Sequence, residues 1–103
     1  MKQVFDYKYA NGNSLQTYIK DVTYHDLVEA LGEPSFNKPS GDEKVQKEWI
    51  FKHNNRYFTI YDWKTYDVNY TENELTVWHV GGKSYLGALG FVEQVMKKIN
   101  KTK

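Results

Sequence analysis

From Arg56 to Lys64 the side chains alternate in a way that leaves few folds open. Tyr57, Thr59, Tyr61 and Trp63 fall on one side of an extended chain, and Phe58 and Ile60 fall on the other. Side chains of a strand point to opposite faces with a period of two, so this segment puts large apolar groups on both faces of a sheet. Helices can cover one face. The other then needs a ligand, a partner subunit or water against its rings. The chain has nine Tyr, five Phe and three Trp, 17% of its residues, so other strands raise the same demand.

The remaining segments supply the cover. Val4 to Tyr9 reads as a strand, Ala10-Asn11-Gly12-Asn13 as a hairpin turn with Asn-Gly as its signal, and Leu15, Thr17 and Ile19, alternating with Gln16, Tyr18 and Lys20, as a second strand. Thr23 with Asp26 three residues on forms a capping-box pattern. It opens a short helix with Tyr24, Leu27, Val28 and Leu31 on one face, closed by Gly32 and Pro34. A loop follows from Glu33 to Lys44. Val45 to Phe51 reads as a strand and His53-Asn54-Asn55 as a second hairpin turn before the Arg56 to Lys64 strand. Thr65 to Asn73 reads as an irregular loop and Leu75 to Val80 as the last strand. Ser84 then caps a terminal helix with apolar positions 85, 88, 89, 92, 95, 96 and 99, a helical period. The order β-β-α-β-β-β-α with short connections predicts an α+β two-layer sandwich. Its mostly antiparallel sheet has about five strands, with helices on one face. The length of 103 residues predicts a single domain, 1–103.

Charge and composition exclude several classes. A formal net charge of +1 gives no general field for nucleic acid and argues against a strongly acidic DNA mimic, so no DNA partner is expected. The absence of cysteine removes disulfides, thiol nucleophiles and Cys-based zinc sites. His25, His53 and His79 form no metal-ligand spacing, and no metal or cofactor is expected. The start MKQVFDYKYA has no signal-peptide apolar run, and no stretch approaches the ~20 apolar residues of a membrane span. The expected compartment is the cytoplasm.

WHVGGKS, Trp78 to Ser84, ends as a phosphate-binding loop ends. The full motif needs a glycine five residues before Gly82-Lys83-Ser84, and Val77 stands there, so nucleotide hydrolysis is not expected. Two readings fit what is left. Gly81 and Gly82 could let the backbone approach an anion at the helix start, with Lys83 and Ser84 adding a charge and a hydroxyl. Equally, the glycines could make a tight strand-to-helix turn that Ser84 caps.

Other chemistry is weaker. Asp62-Trp63-Lys64 with Glu48 resembles the D-x-K arrangement of metal-dependent nucleases, as does Asp42-Glu43-Lys44, but three residues are too few to be specific. No hydrolase triad can be assembled, and no catalytic residue is assigned. Among the rings Trp49, Tyr57, Tyr61, Trp63, Tyr66 and Trp78, those on an uncovered sheet face can stack nucleobases. Lys44 and Lys64 can neutralise phosphate, and His79 is the histidine best placed to reach a ligand. Trp49 and Trp78 are the candidates for core.

Five motifs in order carry a resemblance. They are Ser14-Leu15-Gln16-x-Tyr18-Ile19, Leu27-Val28-x-x-Leu31-Gly32-x-Pro34, Gly41-Asp42-x-Lys44-Val45-x-x-Glu48-Trp49, Thr59-Ile60-Tyr61-Asp62-Trp63-Lys64 and Trp78-His79-Val80-Gly81-Gly82. The chain resembles a widespread family of small phage proteins, the anti-CBASS-type cyclic nucleotide sponges. The resemblance implies a non-enzymatic immune-evasion protein of the host-cell cytoplasm. It would bind and hide a cyclic nucleotide alarm signal such as cyclic GMP-AMP. It also implies a homo-oligomer, dimer or tetramer, with pockets near subunit interfaces. The matching positions are Gly41, Asp42 and Lys44, then Tyr61, Trp63 and Lys64, then Trp78 to Gly82. The region before Ser14 and the Thr65–Asn73 loop match less clearly. With the helix-start residues, the candidate ligand-binding set is Gly41, Asp42, Lys44, Tyr61, Trp63, Lys64, His79, Gly81, Gly82, Lys83 and Ser84. The competing readings are a protein-binding inhibitor of a host defence or replication enzyme and a metal-dependent nuclease using Glu48, Asp62 and Lys64.

Overall fold

The structure is a computed structural model that describes residues 1–103. Asn54 and Asn55 take the left-handed φ values of 50° and 62° that a two-residue hairpin turn requires, and asparagine tolerates them. They join β3 (Glu48–His53) to β4 (Arg56–Tyr61), with His53 opposite Arg56 and Glu48 opposite Tyr61. β4 pairs with β5 (Val77–Gly82), β5 with β2 (Ser14–Lys20), and β3 with β1 (Lys2–Val4). All pairs are antiparallel, and the sheet order is β1-β3-β4-β5-β2.

Two helices cover one face. The capping box of α1 (Tyr24–Leu31) is complete: Asp26 N donates to Thr23 Oγ1 at 3.1 Å and Thr23 N donates to Asp26 Oδ2 at 3.0 Å. Gly32 ends that helix at φ 88°. α3 (Tyr85–Thr102) starts at Ser84, whose Oγ accepts from Gly87 N at 3.0 Å. Ala88, Phe91, Val95 and Ile99 of α3 pack with Leu27 on Trp49, Phe51, Phe58, Ile60, Trp78 and Val80 of the sheet. Trp49 and Trp78 are fully buried, 5.7 Å apart between ring centroids. Each indole N–H donates to a carbonyl at 2.9 Å, Gly32 O for Trp49 and Val22 O for Trp78, so neither polar edge is left unpaired. Burying the pair is therefore favourable throughout, and both tryptophans are core, as the sequence suggests.

Four expectations from sequence need correction. The first strand stops at Val4, and no β1–β2 hairpin forms. Asp6 accepts from Lys8 N at 2.9 Å and caps a 3₁₀ turn, Tyr7–Ala10. Tyr7 stacks on Phe36 and Tyr9 on Tyr57, with centroids 3.6 and 4.5 Å apart. β1 and β2 thus lie on opposite edges, four strand spacings or about 19 Å apart, and the chain between them crosses the sheet face that the helices leave open. Second, the strand expected from Val45 begins at Glu48, because Gln46 N and Lys47 N are drawn to the Asp62 carboxylate instead of a ladder partner. Third, the Thr65–Asn73 loop holds a short helix, α2 (Val68–Asn73), capped by Asp67 accepting from Asn69 N at 2.9 Å. Fourth, two strands shift their ends: the strand expected from Arg56 to Lys64 stops at Tyr61, with Lys64 at φ 56°, and the one expected from Leu75 to Val80 starts at Val77 and runs on through Gly81 and Gly82. On α3 the buried stripe is centred on Phe91, which stacks on Phe58 at 5.0 Å, while Tyr85 and Leu89 are exposed.

Candidate functional site

Antiparallel register decides which side chains share the open face. Glu48, Tyr61, His79 and Tyr18 stand directly opposite one another across β3, β4, β5 and β2 and form one row. Thr59 and Gly81 form the next row towards the hairpin tip. A Cβ on Gly81 would lie 2.5 Å from Thr59 Oγ1, so the close approach of these strands requires glycine there. Without a side chain at Gly81 the sheet has a depression. Ala10, Asn13 and Ser14 of the crossing segment wall it on one side, and Val45 and Trp63 on the other. The cavity is about 210 Å³, floored by Glu48, Thr59, Tyr61 and Gly81. Ligand pockets for drug-sized molecules run to ~300–1,000 Å³, so this one has room for a single ring system and not for a whole dinucleotide.

The rim is aromatic. Trp63 meets Tyr61 edge-on at 6.2 Å, His79 lies 5.5 Å from Tyr61 and 6.4 Å from Trp63, and Tyr18 meets His79 at 5.0 Å. Trp63 is 43% exposed, a large apolar ring held in solvent. Lys44 Nζ and Lys64 Nζ each lie 5.8 Å from the Trp63 ring centroid. The two segments are tied together by Lys64 N donating to Lys44 O at 2.7 Å. The rim thus combines a flat apolar surface with two cations, the pairing that suits a planar group joined to an anion.

The polar groups of this face are poorly satisfied by the protein. Burial pushes the Glu48 carboxyl up to about 7, and the Asp62 carboxylate nearby adds to the rise. Burial likewise holds His79 below its usual range against an opposing pull from Asp62, so its ring is neutral at pH 7. His79 Nδ1 and Asn13 Oδ1 are buried without a hydrogen-bond partner. Such atoms are uncommon in folded proteins, and each calls for an explanation.

Asp62, next to this row, is the opposite case. Its Oδ1 accepts from Gln46 N at 2.7 Å and Lys47 N at 3.0 Å, and its Oδ2 from Thr65 Oγ1 at 2.8 Å and Thr71 Oγ1 at 2.7 Å. A carboxylate has about four lone-pair sites, and all are taken. Asp62 is a structural tie between β4, α2 and the segment before β3, with nothing left over for the metal that a D-x-K nuclease would hold. No group of three or more His, Asp and Glu side chains is arranged to bind a metal ion.

The sequence-derived residues therefore divide. Tyr61, Trp63, His79, Gly81, Lys44 and Lys64 come together at the open face. Gly82 faces the core, where a Cβ would lie 2.8 Å from Phe58 Cδ1. Gly81 and Gly82 are ladder residues opposite Leu15 and Ser14, not a loop free to wrap a phosphate. Ser84 is occupied as a cap. Lys83 turns away into a neighbouring cavity. Asp42 organises its own turn, accepting from Ser40 Oγ and Lys44 N, and the Ser40 hydrogen bond first and the Lys44 N–H next hold its carboxyl below the usual range. Gly41 touches nothing that requires glycine. Sequence reasoning missed Asn13 and Thr59 as site residues and gave Glu48 a different role. The alternation along β4 already put Thr59 beside Tyr61, whereas Asn13 and Glu48 could be found only through register and the crossing segment.

Comparisons with known protein families, with curated proteins and with solved structures find no match to this chain. No helix is long and apolar enough to cross a membrane.

Proposed function

We propose that the protein is a non-enzymatic binding protein that sequesters a phosphate-bearing planar ligand, a cyclic nucleotide defence signal such as cyclic GMP-AMP. In this reading it is a phage immune-evasion protein acting in the host-cell cytoplasm, as its resemblance to the nucleotide sponges implies. The observation that carries the reading is the coincidence, on one uncovered sheet face, of a ring-sized cavity with unpaired polar atoms and exposed aromatics. A nucleobase seated over Gly81 would stack on the exposed Trp63 ring and meet the perpendicular Tyr61 ring edge-on. Its edge would meet the Asn13 carbonyl and the Glu48 carboxyl. Lys44 and Lys64 beside Trp63 would neutralise phosphate. Base–aromatic stacking contributes ~1–3 kcal/mol per base, and burying the unpaired atoms against ligand donors adds to it. A homo-oligomer belongs to the same reading, and the exposed Leu86 and Leu89 of α3 offer apolar surface for it.

The test is a capture-and-release experiment. The protein is incubated with cyclic di- and trinucleotides and cyclic ADP-ribose isomers, separated from free ligand and heat-denatured. The expected result is depletion of one nucleotide class and its chemically intact return. Trp63→Ala and Lys44→Glu should lose capture while Ser84→Ala keeps it. Equal capture by all three variants would remove the proposed pocket, and a degraded product would remove sequestration. A second reading, a protein-binding inhibitor, is favoured by the exposed rings of Trp63, Tyr66 and Tyr70 within one short segment. Retention of a host enzyme on the immobilised protein, with no nucleotide raising its melting temperature, would select it.

A further inference from the structure

Strand alternation and register fix where Glu48 points. Trp49 beside it is fully buried in the helix-covered core, so Glu48 faces the other way, onto the open face. Tyr61 stands opposite Glu48, and its own neighbour Ile60 is likewise core. Glu48 floors the ring-sized cavity with Thr59, Tyr61 and Gly81. No ion pair of the structure includes its carboxylate, and no hydrogen bond offsets the burial and the Asp62 charge that act on it. Tyr61 and Tyr7 also feel the Glu48 charge; burial first and that charge next hold both phenols above their usual range, so neither titrates near neutrality. On the cavity wall, Asn13 Nδ2 donates to Tyr57 O at 3.4 Å, which fixes the amide orientation and leaves Oδ1 buried without a partner. The unpaired charge and the unpaired buried atom that border this cavity are both hydrogen-bond acceptors.

We propose that Glu48 selects a guanine-type base, one whose edge carries two adjacent N–H donors, and that Asn13 Oδ1 accepts from a further donor of the same edge. This rests on the nucleotide-binding function proposed above and names the base that the cavity takes. A carboxylate is best met by two parallel N–H groups, as an arginine fork meets it. Guanine presents such a fork at its N1–H and its N2 amino group, and the second amino hydrogen remains for the Asn13 oxygen. Adenine and cytosine each set a single amino donor beside a ring nitrogen whose lone pair opposes an ionised carboxylate. Only a protonated Glu48 suits adenine, since its O–H can then donate to that ring nitrogen. The two purines therefore demand opposite charge states of one side chain.

The probes are cyclic GMP and cyclic AMP, whose phosphodiesters do not titrate near neutrality. Each is titrated into the ¹⁵N-labelled protein at pH 6, 7 and 8, and the exposed Trp63 indole N–H reports binding. At pH 8 cyclic GMP should bind tighter than cyclic AMP by about tenfold or more. Because the free Glu48 carboxyl titrates at about 7, its ionised fraction rises about tenfold from pH 6 to pH 8. The affinity for cyclic GMP should rise over that interval by up to the same factor, and the affinity for cyclic AMP should fall. Glu48→Gln should weaken cyclic GMP by about tenfold or more, abolish its pH dependence and leave cyclic AMP at least as tightly bound. A preference for cyclic AMP at pH 8, a flat pH profile for cyclic GMP, or an equal effect of Glu48→Gln on both nucleotides would overturn the assignment and leave the nucleotide reading standing. If neither probe and no cyclic oligonucleotide binds at any pH, the nucleotide reading falls and this assignment falls with it.

Discussion

Replacing Glu48 by glutamine should stabilise the protein, and by an amount set by pH. The carboxyl titrates at 4.5 in an exposed reference state and at about 7 in the folded protein, because burial and the Asp62 charge oppose its ionisation. Between those values the folded state binds more protons than the unfolded state, so stability falls as pH rises through the interval and levels off above it. Integrating the two titrations gives a loss of ~0.2 kcal/mol at pH 4, ~0.8 at pH 5 and ~3 at pH 7, with little further change beyond pH 8. Glu48→Gln keeps the shape and removes the charge. The carboxyl makes no hydrogen bond to the protein that the amide would forfeit, so the two proteins should match near pH 4. By pH 8 the variant should be more stable by about 3 kcal/mol. Urea unfolding of both proteins at intervals from pH 4 to 8 measures the difference directly, and titrating groups that do not feel the Glu48 charge cancel in the comparison. A stability gain independent of pH, or a wild type that is the more stable protein at pH 8, would refute the assignment of Glu48 as a half-buried acid under electrostatic pressure.

Asp62→Ala should have the opposite sign and a larger size. It strands two backbone N–H groups and two threonine hydroxyls, so a loss of about 3 kcal/mol or more is expected in the same unfolding assay. Gly82→Ala drives a methyl to within 2.8 Å of Phe58 and should cost ~1–3 kcal/mol, with Phe58→Leu recovering part of it. Gly81→Ala meets Thr59 Oγ1 at 2.5 Å; Thr59→Ala should relieve the clash in melting experiments, whereas the methyl at position 81 would still obstruct nucleotide capture. Ser84→Ala should lower stability by ~1 kcal/mol through the lost cap and leave capture unchanged.

What could be read from sequence was what short-range chemistry dictates. Thr23 and Asp26 define their helix start without reference to the rest of the chain, and the β4 alternation assigns Tyr57, Thr59 and Tyr61 to one face whatever they pack against. The failures share a cause in contacts distant along the chain. Asn11-Gly12 is a sound local hairpin signal, but the stacking of Tyr7 on Phe36 and Tyr9 on Tyr57 draws the segment across the sheet instead. Gly81 and Gly82 read as a loop because glycine usually breaks strands. Here their small size lets neighbouring strands carry Thr59 and Phe58 past them, a reason visible only once β4 lies beside β5. The site divides along the same line. Tyr61, Trp63 and His79 were legible from alternation and spacing, whereas Asn13 and Glu48 depend on register and the crossing segment.

The contrast between two carboxylates bears on whether the open face is a site or only loose packing. The chain can satisfy a buried acid completely, since Asp62 receives four hydrogen bonds from donors spread over three segments. Glu48 lies close enough to feel the Asp62 charge yet receives none, and Asn13 Oδ1 and His79 Nδ1 on the same face are also unpaired. Loose packing would scatter such defects over the molecule. Here both buried unpaired side-chain atoms fall on the uncovered face, beside exposed aromatic rings, while the tryptophans of the helix-covered face are fully paired. Departures from local optimality gathered in one place are expected where function has been favoured over stability. If so, the stabilising change Glu48→Gln should also weaken capture of the nucleotide, and the gain in stability should be largest at the pH where the carboxyl is ionised.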